Sequence, residues 1–251
     1  MAISLASLRT NKAKPPCVII HGEPGIGKTT LGACAPDPVF ILTEDGLGNL
    51  EVPAFPLAKS FDEVMESIGS LYEEDHEYKT LVIDSLDWLE PLIWQHVCET
   101  WTDKKGVQKR LQSIEDAGYG KGYIEAIGYW RMFFDGLRAL RDAKNMTVIM
   151  IAHSAKVKVE DPMLPAYDTM DLKLHKRAAA IAEEYADVIL FAQLHTATTT
   201  DKERTRATSN GSRIMHTVGQ PAFLAKNRYN LPTPLPLSWS AFDEAMKEAC
   251  K

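Results

Sequence analysis

The chain has 251 residues, 45% of them hydrophobic and 25% charged, with a formal net charge of −6. That composition argues against a disordered, fibrous or membrane-embedded chain, and the acidic balance means that any contact with nucleic acid must come from local patches. No stretch approaches the roughly 18 apolar residues of a membrane helix, residues 1–16 hold no signal-peptide core, and Cys17, Cys34, Cys98 and Cys250 form no C-x-x-C pair. A cytoplasmic protein with free thiols, no structural zinc and no membrane partner is expected, with Cys17 and Cys34 filling core.

Residues 17–20 are a short apolar, β-branched run that enters a glycine-rich turn, which predicts a buried strand and then a loop. A helix over 29–35 is stopped by Pro36 and Pro38, and residues 39–42 form a second strand ending at Thr43-Glu44-Asp45-Gly46. Ser60 and Glu63 make a capping box for a helix carrying Val64, Ile68 and Leu71. Residues 81–83 are a third strand, followed by a helix over 86–101 broken or kinked near Pro91. Residues 102–122 are polar and loop-like, 124–143 return to helical periodicity, and 147–151 form a fourth strand.

A long polar connection then leads to a helix over 177–185 and a fifth strand over 188–191. Residues 213–218 and 222–225 are expected to pair as terminal strands around the turn at 219–221. Strands alternating with helices imply an α/β fold, a mostly parallel central sheet covered on both faces with an antiparallel C-terminal strand pair, and a ligand site at the carboxyl ends of the strands. One domain over 1–251 is expected: a candidate arm over 1–16, a core over 17–230, and a C-terminal tail and helix over 231–251.

The chemistry starts at Gly22-Glu23-Pro24-Gly25-Ile26-Gly27-Lys28-Thr29, which matches G-x-x-x-x-G-K-[ST]. In that pattern the glycines let backbone N–H groups point at phosphate oxygens from the start of a helix, the lysine reaches the β and γ phosphates, and the hydroxyl meets Mg²⁺. ATP with Mg²⁺ is the expected ligand, held by residues 22–29 together with Thr30. Asp84, closing an apolar strand, suits the Walker-B position, so Thr29 and Asp84 are the expected metal-side residues. Hydrolysis also needs a group to orient or deprotonate water; Ser85 follows Asp84, which leaves Glu44 as the candidate and Asp45 as its competitor.

This arrangement resembles the RecA-like P-loop NTPase core, whose glutamate lies after the second strand. Residues 40–44 and 81–85 look like its catalytic-glutamate and Walker-B strands. Residues 149–153 resemble the strand whose terminal residue senses the γ phosphate, with His153 where the family usually has glutamine. Lys226-Asn227-Arg228-Tyr229 resembles the K-N-R motif of the RadA branch, which implies that Lys226 and Arg228 act in trans on a neighbouring subunit's nucleotide. As a whole the chain is most similar to the phage-encoded Sak-four group of ATP-binding single-strand annealing proteins. That resemblance implies a homo-oligomeric ring or filament in a host cytoplasm, with single-stranded DNA as partner and a single-stranded-DNA-binding protein as a further candidate.

In the RecA-like core two loops face DNA, here about 102–123 and 154–176. Their candidate DNA-binding residues are Lys104, Lys105, Lys121, Lys156, Lys158, Lys173 and Lys176, interleaved with Tyr119, Tyr123 and Tyr167. Glu160, Asp161, Asp168 and Asp171 bring the second loop near neutrality, so a solvated mixed-charge loop competes with that reading. Two other classes of function remain open: a phosphotransferase acting on a small acceptor, with Lys226 and Arg228 working in cis, and a nucleotide-gated assembly module without DNA binding.

Overall fold

The computed structural model describes residue 8 and residues 14–103, 106–163, 165–201 and 204–249, with side chains outside the description at 197–201 and 204–210. Most of the expected N-terminal arm therefore lies outside the described residues, as do Lys104, Lys105 and Cys250.

Five strands make the parallel heart of the sheet: β1 (Cys17–Gly22), β2 (Pro38–Leu42), β3 (Thr80–Asp84), β4 (Thr147–Val159) and β6 (Val188–Asp201). They run in the order β2-β3-β4-β1-β6, so β4 separates the phosphate-loop strand from the strand that ends in Asp84. Alternation along each strand sends side chains to opposite faces. Cys17 and Ile19 of β1, Leu81 and Ile83 of β3, and Val148 and Met150 of β4 enter one cluster with α2 (Phe61–Glu73), α3 (Leu86–Thr100), α4 (Lys121–Lys144) and α5 (Lys176–Tyr185). Val18, Ile20, Val82, Ile149 and Ile151 enter a second cluster with α1 (Lys28–Ala33) and α6 (Trp239–Ala249). Each such side chain contributes about 1.5–3 kcal/mol by leaving water, which is why a run that reads as continuously apolar becomes a strand with two dry faces. This is an α/β core, a mostly parallel sheet with helices on both faces. Among the described residues no helix is long and apolar enough to cross a membrane.

Several local expectations give way to tertiary structure. Helix α3 runs unbroken across Pro91, because Leu89, Ile93 and Val97 are buried on both sides of it and hold the turn that the missing N–H would otherwise support. Ser60 caps α2 through Glu63 N, but the Glu63 carboxylate accepts from Lys59 N, one residue outside the expected box. The polar connection after the fourth strand is an antiparallel arm: β4 continues to Val159 and pairs with β5 (Tyr167–Leu172). Its signal was present, since Ala155, Val157 and Val159 alternate with Ser154, Lys156 and Lys158.

The antiparallel C-terminal strands also form with different partners. Residues 213–218 do not pair with 222–225; β7 (Arg204–His216) pairs with an extended β6, and residues 220–223 close a tight turn. Thr196 and Thr198–Thr200, all β-branched, explain why β6 does not stop at Phe191. Two short strands, β8 (Lys226–Asn227) and β9 (Leu235–Pro236), add to β6 and β7. The segment after residue 230 is no loose tail, because Phe242 and Ala245 are buried in the second cluster. Cys17 is buried as expected; Cys34 is exposed.

Candidate nucleotide site

At the carboxyl end of β1 the chain must turn sharply between two neighbouring strands. Gly22 approaches β6 so closely that a Cβ there would lie 2.4 Å from the Ala192 carbonyl oxygen. Gly25 and Gly27 take φ values of 76° and 106°, which side-chain-bearing residues rarely adopt, and Lys28 opens α1 immediately afterwards. The spacing of the motif is therefore a requirement of close approach and of left-handed backbone.

A cleft of about 380 Å³ opens over this loop, lined among others by Lys28, Thr29, Thr30, Glu44, Asp84 and His153. Pro24, Gly25 and Gly27 line it as well; Glu23 contributes its carbonyl oxygen, and Ile26 is buried in the second cluster. Lys28 Nζ donates to the carbonyl oxygens of Gly22 and Glu23, at 3.1 and 3.0 Å. Thr29 Oγ1 donates to Asp84 Oδ2 at 2.9 Å. Burial holds the Lys28 ammonium below its usual range, and burial together with the neighbouring Glu44 holds the Asp84 carboxyl above its own. A hydroxyl and a carboxylate side by side are hard oxygen donors of the kind Mg²⁺ takes.

Ser85 Oγ donates to Glu44 Oε1 at 2.5 Å, which aims the carboxylate across the end of β3 toward the cleft, while Asp45 is not among the cleft-lining residues. Thr43 braces the same junction through Ser85 N and O, at 2.8 and 2.7 Å.

A family model described as an AAA domain matches residues 14–229. The chain belongs to that family of AAA domains. As an AAA domain it is a P-loop ATPase domain, a class that binds nucleotide and usually Mg²⁺. Among solved structures, the crystal structure of the RadB recombinase is similar at 14% identity and a TM-score of 0.48, over 91% of this chain and 90% of that one. No curated protein matches the sequence.

Behind the lining of the AAA domain's cleft stand residues that sequence reasoning passed over. Asp87, in the first turn of α3, has a side chain only 2% exposed; its Oδ1 accepts from His153 N and its Oδ2 faces His153 Nδ1, both at 2.9 Å. Those bonds to His153 hold the Asp87 carboxyl below its ordinary range despite burial, and they leave Nε2 as the ring nitrogen for a ligand. Lys173, at the base of the β4–β5 arm just after β5, lies 3.6 Å from the same carboxylate. Three residues on, Glu90 accepts from His175 N with both oxygens at 3.0 Å, and burial pushes its carboxyl up to about 7. An acid spaced three residues after the Walker-B position was the available signal for Asp87. Behind the loop, His21 is fully buried between Ser154 Oγ and the Leu224 carbonyl oxygen, at 2.9 and 2.8 Å, and burial lowers its pKa to about 4.

Lys226 and Arg228 are not brought to the cleft of their own chain. Strand β8 pairs with the beginning of β6, at Val188 and Ile189, so both cations sit at the amino end of the sheet, about the length of β1 from the phosphate loop. There Lys226 Nζ donates to the Glu183 carbonyl oxygen and Arg228 Nη1 pairs with Asp187 at 2.9 Å. In that placement neither cation reaches the phosphate loop of its own chain.

Of the described DNA candidates, Lys156 pairs with Asp168 at 2.6 Å across the arm, Lys158 and Lys176 are exposed, and Lys121 lies over the ring of Tyr119, itself 99% exposed on a turn with Gly118 and Gly120 at positive φ. Tyr123 stacks on His175 with centroids 4.3 Å apart, so the starts of α4 and α5, carrying Lys121 and Lys176, are apposed.

Proposed function

We propose that this AAA domain binds and hydrolyses ATP with Mg²⁺ and couples that cycle to single-stranded DNA, promoting annealing or recombination as a homo-oligomeric ring or filament of the phage type. The observation that carries the proposal is the Asp87 carboxylate, which binds His153 at the cleft and faces Lys173 at the base of the β4–β5 arm. A change at the phosphate end of His153 is thereby felt where Lys156 and Lys158 project.

In this reading Lys28 exchanges its two carbonyl partners for the β and γ phosphates, Glu44, steadied by Ser85, orients and deprotonates the attacking water, and His153 Nε2 meets the γ phosphate. Mg²⁺, when bound by Thr29 and Asp84, supplies neutralisation of phosphate charge. Exposed Tyr119 beside Lys121 suits base stacking next to phosphate contact. The K-N-R resemblance supports action of Lys226 and Arg228 in trans; Arg228 is 53% exposed at the end of the sheet away from its own cleft, on a side that a neighbour can approach.

The test is ATP hydrolysis with and without single-stranded DNA at low and moderate salt. DNA-stimulated turnover that Lys28→Ala abolishes is expected; turnover indifferent to DNA in both salts would move the function to a nucleotide-gated assembly module.

A further inference from the structure

Beside the triphosphate cleft lies a second cavity of about 610 Å³ between α1 and the start of α6. Gly27, Thr30 and Arg213 line both spaces, and the rest of the second wall includes Leu31, Leu237 and Trp239. Arg213 stands at the junction. A Cβ built on Gly27 would lie 2.9 Å from its Nη1, so the guanidinium rests against the phosphate loop of its own chain.

Its position is built into the sheet. Leu194 faces Arg213 in the β6–β7 pair, but the next pair is Thr196 with Ser209, so the ladder is irregular just before Arg213, where Gly211 takes a φ of 78°. Such an irregularity re-aims the side chain that follows it. On the other edge, Leu237 N donates to the Arg213 carbonyl oxygen at 3.0 Å, tying β7 to the wall of the second cavity. Among the described residues no carboxylate forms an ion pair with Arg213. A guanidinium without a carboxylate partner, set against a phosphate loop, has the planar donor fork that phosphate oxygens match.

Resting on the nucleotide reading above, we propose that Arg213 binds the α and β phosphates in cis and that the second cavity takes the nucleoside, its base against Leu237 and Trp239. The direction follows from the linings. Glu44, Asp84 and His153 occupy the far side of the cleft, where the γ phosphate belongs, so the nucleoside must leave on the Arg213 side. There Leu31, Leu237 and Trp239 offer an apolar and aromatic face for a heterocyclic base, with Ser238, Ser240 and Asp243 beside it for the polar atoms of a nucleoside. Arg213 is thus a contact for diphosphate and triphosphate alike, whereas His153 reads only the third phosphate.

Titration calorimetry with ATP, ADP and inorganic tripolyphosphate tests the assignment on wild type, Lys28→Ala, Arg213→Ala, Arg213→Lys and Trp239→Ala, with thermal melting to verify folding. Arg213→Ala is expected to weaken ATP and ADP by the same factor, about tenfold, with partial recovery in Arg213→Lys. Trp239→Ala is expected to weaken ADP and leave tripolyphosphate unchanged. If wild type binds ATP, Lys28→Ala does not, and Arg213→Ala stays within twofold of wild type for both nucleotides, the Arg213 assignment fails while the nucleotide site stands. A loss confined to ATP would place Arg213 at the γ phosphate and overturn the junction. Absence of ATP binding by wild type would overturn the nucleotide reading and this assignment together.

Discussion

The two ends of the central sheet both gather charge, and they use it in opposite ways. At the amino end Asp187 is closed into its surroundings: Arg141 and Arg228 each pair with it at 2.9 Å, and Cys17 N donates to it at 3.1 Å. At the carboxyl end the charged groups line a cleft, Lys28 is held only by carbonyl oxygens, and Arg213 has no carboxylate partner among the described residues. A cation satisfied inside the chain secures the fold, and one left facing a cleft is available to an anion. Lys226 and Arg228 look like site residues in the sequence, yet within one chain they belong to the first kind.

Four experiments sharpen or break that contrast. The largest effect is expected for Glu44→Gln, which should lower ATP turnover about 1000-fold while ATP affinity stays within a few fold, as steady-state hydrolysis and calorimetry will show. Equal loss of binding and turnover would mean that Glu44 holds the cleft together and does not act on water. Next, Asp187→Ala should destabilise the fold by about 3 kcal/mol in urea denaturation, since Arg141 is left buried without its partner. Its ATP affinity should be unchanged in the folded protein, and a shift there would erase the distinction between the two ends.

A change of similar size is expected from Glu90. Because its folded pKa is raised to about 7 from an ordinary 4.5, the folded chain keeps a proton that the unfolded chain releases, so its contribution is full below about pH 4.5 and is lost as pH rises through 7. Glu90→Gln should therefore gain about 3 kcal/mol relative to wild type between pH 4.5 and 8, read from urea midpoints; a difference independent of pH would refute the assignment. The smallest effect belongs to Asp87→Asn, which should reduce the preference for ATP over ADP about tenfold and blunt DNA stimulation, with ADP affinity intact. An unchanged preference would separate His153 from the γ phosphate.

The phosphate loop was legible because its constraints are local. Gly22, Gly25 and Gly27 meet backbone demands that any reader of the motif can state, and the strand before and helix after it have their own periodicity. Glu44 and Asp84 were legible at one remove, as acids closing apolar strands that a parallel sheet must bring side by side. Asp87 was harder, since a carboxylate in the first turn of a helix ordinarily needs no more explanation than the helix dipole. Arg213 gave no local sign at all: it lies 185 positions beyond Lys28 by the numbering, and only the bulged β6–β7 pair turns it to Gly27.

By itself, then, the sequence determined the α/β alternation, the depth of the five parallel strands and the identity of the phosphate loop, because apolar periodicity and backbone strain act over a few neighbouring residues. Tertiary structure decided the rest. Whether Ser154–Val159 is loop or strand depends on β5 being there to complete its hydrogen bonds, and whether Arg228 or Arg213 faces the nucleotide depends on which end of the sheet its strand joins. Those outcomes depend on pairing between segments far apart in the chain, which no local pattern encodes.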